Sequence, residues 1–218
     1  MSLAIFDLDN TLIAGDSDFL WGQFLVEQSV VDAVHYEQAN AKFYQDYKAG
    51  ILDIQEYLEF SLKPLADNPL DQLLEWRQQF VEEKIKKLIL PKAQRRIDWH
   101  RSKGDTLLII TATNHFVTEP TAKLYGVKHL LATNPELING RYTGKVDGTP
   151  CYQGGKLINL EQWLSDGRDE LAKETWFYSD SMNDIPLLEQ VDNAIAVDAD
   201  QELSKKAEQE GWLITSFR

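Results

Sequence analysis

The sequence predicts an α/β protein: a mainly parallel sheet covered on both faces by helices, three layers in all. Two observations carry that reading. Short apolar runs alternate with helical patterns along most of the chain, the signature of parallel strands joined by crossover helices. Several of those runs then stop abruptly at acidic or hydroxyl residues, and ligands of parallel sheets bind beyond the carboxyl ends of the strands.

The first run is Leu3 to Leu8, where Ala4, Ile5 and Phe6 suit a strand buried on both faces and Asp7, Asp9 and Thr11 follow at alternate positions. Taken alone, such a stretch also reads as an Asp-rich turn. From Asp16 to Leu90 the pattern is helical throughout, through Phe19, Leu20, Trp21, Phe24 and Leu25, then Phe43, Tyr44 and Tyr47, then Tyr57, Leu58 and Leu62. Pro64, Asp67, Asn68 and Pro69 are expected to break the run, which resumes at Leu73, Leu74, Arg77, Phe80, Val81 and Ile85. Residues 16–90 therefore read as an all-helical insert, and residues 1–15 with 91–218 as the core. After Pro91 a helix runs to Lys103 and Gly104, and Asp105 to Thr111 forms the second strand. Asn114 to Tyr125 reads as a helix, Lys128 to Ala132 as a strand, and Asn139-Gly140 as the turn of a peripheral hairpin. Gly154-Gly155-Lys156 opens the next helix, Thr175 to Tyr178 is a strand leading into Ser179-Asp180-Ser181-Met182-Asn183-Asp184, and another helix starts at Ile185. A strand over Ala194–Val197, a helix over Ala199–Gln209 and a short strand over Trp212–Ile214 complete the chain.

Composition limits the function. The 218 residues carry a formal net charge of −13, which weighs against nucleic acid, since backbone binding needs clustered Lys and Arg. Cys151 is the single cysteine, so no intrachain disulfide forms. His35, His100, His115 and His129 are scattered without zinc-ligand spacing, though His115 lies near enough to Thr111 to touch a substrate. No stretch approaches the ~20 apolar residues of a membrane span. The expectation is a soluble, cytoplasmic protein whose partner is a small molecule; oligomeric state is not legible.

The polar strand ends, Asp7 and Asp9, Thr111, and Asp180 with Asp184, together with Lys156 at a helix start, read as one site. Carboxylates packed side by side repel unless a cation lies among them. A hard divalent ion with oxygen ligands fits, and Mg²⁺ suits best because it takes few carboxylates, keeps its waters and binds phosphate. Each residue alone has a plainer reading: Lys156 as a solvated charge, Thr111 as a local hydrogen-bonding group.

Jointly, these motifs resemble those of the haloacid dehalogenase superfamily phosphatases, with the DxDxT motif at Asp7, Asp9 and Thr11, the second motif at Thr111, the third at Lys156 and the fourth at residues 179–184. The resemblance implies strand order 3-2-1-4-5 and a helical cap of the phosphoserine-phosphatase-like branch inserted after the first strand. It implies Asp7 as nucleophile, Asp9 as general acid and base, and Mg²⁺ held by Asp7, Asp180 and the carbonyl of Asp9. It further implies Asp184 orienting Lys156, and Lys156 and Thr111 stabilising the phosphoryl group. Phosphate contacts are expected from Thr11, Ala112, Thr113 and Asn183. For the rest of the substrate, Asp16 and Asp18 match the acidic position after the first motif, while Arg77 is the lone arginine of the insert and lies outside any recognisable substrate motif. Between Gly15 and Leu90 there are fourteen acidic and seven basic residues, a field that favours an amine-bearing substrate such as histidinol phosphate. Solvated helix faces explain most of those acids equally well. Phosphoserine hydrolysis, phosphoryl transfer to another acceptor, and phospho-ligand binding without turnover are the alternatives.

Overall fold

The computed structural model describes residues 2–168, 171 and 173–218. Its strands are β1 (Leu3–Phe6), β2 (Thr106–Asn114), β3 (His129–Ile138), β4 (Arg141–Asp147), β5 (Thr175–Ser179), β6 (Asn193–Val197) and β7 (Leu213–Thr215), in one sheet of order β4-β3-β2-β1-β5-β6-β7. Every neighbouring pair is parallel except β3 with β4. The expected 3-2-1-4-5 order is the inner run β3-β2-β1-β5-β6, extended by an antiparallel strand at one edge and a short parallel one at the other. Beta1 therefore lies at the centre, with the strands that end near Thr111 and Asp180 on either side of it.

Alternation along the strands builds two cores. Ala4, Phe6, Ile109, Tyr178 and Ile195 face one side, and Leu3, Ile5, Leu108, Ile110, Phe177 and Ala196 the other. The second face is covered by α7 (Gly154–Ser165), α8 (Ile185–Leu188) and α9 (Gln201–Glu210), through Leu160, Leu187 and Leu203. The first is covered by α5 (Pro91–Ser102) and α6 (His115–Leu124), through Ile97 and Val117.

Between β1 and β2 run α1 (Ser17–Glu27), α2 (Ala33–Lys48), α3 (Ile54–Asp67) and α4 (Leu70–Phe80). Asp16, Asp32 and Asp53 cap the first three by accepting main-chain N–H groups. Trp21 packs on Phe24, Phe80 and Phe116, with ring centroids 5.2 to 5.9 Å apart, and so joins this layer to α6. Each such aromatic pair adds about 0.5–1.5 kcal/mol beyond simple burial. Both ends of the segment meet in a short stem: Ile13 bridges Ile89, and the Ala14 N–H donates to the Leu88 carbonyl at 2.8 Å. The Tyr125 hydroxyl stitches the stem from α6, donating to the Leu12 carbonyl and accepting the Leu90 N–H.

Several boundaries differ from expectation. Pro64 lies inside α3, whose end comes at Asn68 and Pro69; it is buried, and the helix tolerates the loss of the bond that position 64 would have made to the Phe60 carbonyl. The α4 pattern does not continue as one helix, because Val81–Ile85 widens into a π turn and Lys86–Leu88 tightens into a 3₁₀ turn on the way to the stem. Beta2 runs on to Asn114, carrying Ala112 and Thr113 with it, and its register against β3 shifts after Ile110. The hairpin lies at the sheet edge but packs against the helices. Asn139 and Gly140 take positive φ, 51° and 77°, as a two-residue turn requires. Beyond that turn Tyr142 packs edge-on against Phe116 at 5.6 Å, and Gly144 sits so near α3 that a Cβ there would lie 3.3 Å from Ala66.

Cys151 is fully buried, and burial pushes its thiol up to about 12. Native protein at about pH 8 will therefore resist iodoacetamide, while protein in urea will be alkylated at the rate of a free thiol. Mass spectrometry reads both; rapid native labelling would contradict the buried placement.

Candidate active site

The carboxyl end of β1 delivers Asp7 directly, its N–H donating to the Tyr178 carbonyl at 2.9 Å and continuing the ladder with β5. The chain then turns tightly through Asn10, at φ 58°, so that Thr11 folds back under the strand end. Beta2 brings Thr111, Ala112 and Thr113, β5 leads into Asp180, and the start of α7 supplies Lys156.

Lys156 is 2% exposed, and its Nζ lies 2.7 Å from Asp7 Oδ1 and 2.7 Å from Asp184. Burial disfavours its charge, yet the two carboxylates more than offset this and raise its pKa. The Ser179 hydroxyl donates to Asp184 at 2.7 Å and fixes it. Burial pushes Asp7 up to about 7 against the pull of Lys156, with Asp184 and Asp9 adding repulsion. Burial and the charges of Asp7 and Asp184 likewise hold Asp180 well above the usual carboxylate range.

Asp9 is held differently. Its Oδ1 accepts the Ser17 N–H at 2.6 Å, and its Oδ2 accepts the hydroxyls of Thr113 at 2.8 Å and Thr111 at 3.3 Å. Burial raises its pKa, and these donors only partly oppose the shift.

The expected residues thus converge, with two differences of contact. Thr11 donates to Asp180 Oδ1 at 3.1 Å, making it a support for that carboxylate. The Asn183 amide is engaged by Tyr47, Tyr152 and Gln153. Arg77 does not reach the site: it donates to the Phe116 carbonyl and to Glu119 and stacks on the Phe116 ring. His115 lines a separate groove with Glu119 and Lys123.

Over Asp7 and Asp9 opens a narrow cleft, lined by Asp16, Asp18, Phe19, Phe43, Tyr44, Tyr47 and Tyr57 from the helices and by Thr111 to Thr113 and Tyr152 from the core. Burial pushes Asp18 up to about 7, partly opposed by a hydrogen bond from Tyr57. Burial and the nearby charge of Asp9 hold Asp16 well above the usual range. Sequence reasoning missed Ser17, Ser179 and this aromatic wall. Ser179 stood within the fourth motif, whereas the tyrosines sat at helical spacing that reads equally as core.

The carboxylates fit a hard cation. Among the described residues no three His, Cys, Asp or Glu side chains converge as a metal cage. Two mutually repelling carboxylates, Asp7 and Asp180, are instead the sparse oxygen set that Mg²⁺ accepts.

The family model for haloacid dehalogenase-like hydrolases matches residues 4–189, which include every one of these strand ends. The chain belongs to that family. Within it, the chain is 43% identical to the histidinol-phosphatase of Neisseria meningitidis serogroup C (strain 8013), covering all of this chain and 99% of that protein. A crystal structure of a protein of unknown function from Bordetella pertussis Tohama I superposes with a TM-score of 0.92 at 37% identity, covering 100% of this chain and 99% of that one. A phosphoserine phosphatase solved as a phospho-aspartyl intermediate analogue shares the fold, with a TM-score of 0.71 at 19% identity over 100% of this chain and 93% of that one. This haloacid dehalogenase-like hydrolase is a phosphatase. Among its described residues no helix is long and apolar enough to cross a membrane.

Removing Lys156 will leave Asp7 and Asp184 buried and unpaired. Lys156→Met is expected to lose about 3–5 kcal/mol of unfolding free energy near neutral pH, the usual result of breaking a buried pair. The deficit will shrink on acidification: without the ammonium, Asp7 rises further above its ordinary value of 3.8, so the folded state binds the extra proton and gains stability as pH falls. Urea titrations in EDTA across that range measure it; a deficit independent of pH would contradict the charge assignment.

Proposed function

We propose that this phosphatase hydrolyses histidinol phosphate with Mg²⁺, through an aspartyl-phosphate on Asp7. The observation that carries the substrate is the cleft: its lining contributes four carboxylates and a set of aromatic rings, but no Lys, Arg or His. Histidinol phosphate bears an amine and an imidazole and no carboxylate, so Asp16 and Asp18 meet the amine while Tyr44, Tyr47 and Tyr57 offer π faces to the imidazole. The carboxylate of phosphoserine would face Asp16 and Asp18 without a cation, since Arg77 is committed to Glu119. The 43% identity to a histidinol-phosphatase supports the same choice.

In this reading residues 16–90 cap a core of residues 1–15 and 91–218. Asp7, Asp180 and the Asp9 carbonyl would hold Mg²⁺, which would supply charge neutralisation for the Asp7 carboxylate and the phosphate. Asp7 attacks phosphorus. Asp9, whose acid form burial favours, gives its proton to the leaving alcohol and then takes one from the water that cleaves the intermediate. Lys156 and Thr111, with the Ala112 and Thr113 main chain, stabilise the transferring phosphoryl group, and Asp184 keeps Lys156 aimed at Asp7.

The kcat/KM for histidinol phosphate should exceed that for phosphoserine by at least ~100-fold, because a missing cation leaves a buried carboxylate unpaired. Asp18→Asn should narrow the ratio. Comparable constants would overturn the substrate assignment.

Removal of divalent metal by EDTA should abolish hydrolysis, and Mg²⁺ should restore it. Asp7→Asn should yield neither product nor labelled phosphoenzyme; Asp9→Asn should still be phosphorylated by an activated aryl phosphate and then release phosphate slowly. Turnover in EDTA, or wild-type labelling of Asp7→Asn, would refute the mechanism. Product analysis in labelled water reports transfer to other acceptors, and phosphate binding without turnover would mark a binding module.

A further inference from the structure

Gln153 stands between Tyr152, which lines the cleft, and α7, which carries Lys156. Its backbone lies at φ 47° and ψ −122°, a conformation in which a residue with a Cβ is strained. Gly154 and Gly155 follow directly, yet the strained position keeps a side chain. Its amide nitrogen is engaged: Nε2 donates to Tyr152 Oη at 3.0 Å and Asn183 Oδ1 at 3.0 Å, and reaches the Gly50 carbonyl at 3.5 Å. Asn183 completes the link by donating to the Tyr47 carbonyl at 2.9 Å. Tyr47 and Gly50 form the end of α2, and the fit there is close, since a Cβ on Gly50 would lie 3.1 Å from the Met182 methyl group.

The backbone of Gln153 acts on the other side. Its carbonyl accepts the Lys156 N–H at 3.0 Å, so the strained residue sets the first turn of α7. A Cβ on Gly155 would fall 2.0 Å from the Pro150 carbonyl oxygen, so that turn is seated without slack.

We infer that Gln153 is a positioning residue: its side-chain bonds to the seated end of α2 hold the backbone conformation that starts α7 and aims Lys156 at Asp7. Seating of the helical layer and placement of the phosphoryl-binding ammonium are then one event. The inference rests on the phosphatase role given to Lys156 above.

The test compares wild-type protein with Gln153→Gly and Gln153→Ala. Glycine relieves the strained backbone, so Gln153→Gly should melt no lower than wild type, yet its kcat on an activated aryl phosphate should fall about tenfold, with inhibition by inorganic phosphate weakened in parallel. Hydrogen exchange should rise together at residues 47–50 and 154–157 in both variants. Wild-type kcat in Gln153→Gly, or exchange rising in one segment alone, would overturn the inference. Should the wild-type protein hydrolyse no phosphomonoester, the proposed function fails, and the exchange measurement alone decides whether the two segments are linked.

Discussion

The structure depends on one buried ammonium. Asp7, Asp180 and Asp184 crowd the end of β1 at a depth where their mutual repulsion is poorly screened, and Lys156 is the cation among them that the chain itself provides. A buried ion pair contributes little net stability compared with apolar packing, but leaving its partners unpaired is costly. Placement therefore matters more than attraction. The sheet order puts the strands leading to Thr111 and Asp180 on either side of β1, and α7 approaches from the second face so that its lysine enters between Asp7 and Asp184.

The two aspartates of the first motif are separated electrostatically though only two residues apart. Asp7 faces a cation, whereas Asp9 faces hydroxyls and a helix amide. Burial raises the pKa of both, while the adjacent ammonium favours the carboxylate of Asp7 and the donated hydrogen bonds favour that of Asp9. That difference in partners arises from alternate side chains leaving the strand end towards different elements.

Much of this was legible in the sequence, because a strand buried on both faces leaves a continuous apolar run and the polar residues at its end are conspicuous. The centre of the sheet and the convergence of Asp7, Asp9, Thr111, Lys156, Asp180 and Asp184 follow from that contrast. Side-chain direction within turns does not. Thr11 and Asn183 share their motifs with residues that face the cleft, but the reversal at Asn10 sends Thr11 to Asp180, and the turn after β5 sends Asn183 to α2. The cleft wall was hidden for another reason: Tyr44, Tyr47 and Tyr57 recur at helical spacing, and periodicity cannot distinguish a ring that fills a core from one that borders a cavity. The hairpin's turn was legible because it is local, whereas the packing of Tyr142 on Phe116 is not local and was missed.

The stem that joins Ile13 to Ile89 bears on how the chain finds its fold. Beta1 and β2 are neighbours in the sheet but are separated by all of the helices between them, and closing so long a loop directly is entropically unfavourable. Contacts within those helices and between α1 and α2 are close in sequence and can form early, which shortens the loop between residues 12 and 90. Once Tyr125 has bridged Leu12 and Leu90, the remaining closure spans only the short distance to each strand. Weakening the stem should therefore slow refolding more than it speeds unfolding, which makes the segment that roofs the cleft also the scaffold on which the central strands meet.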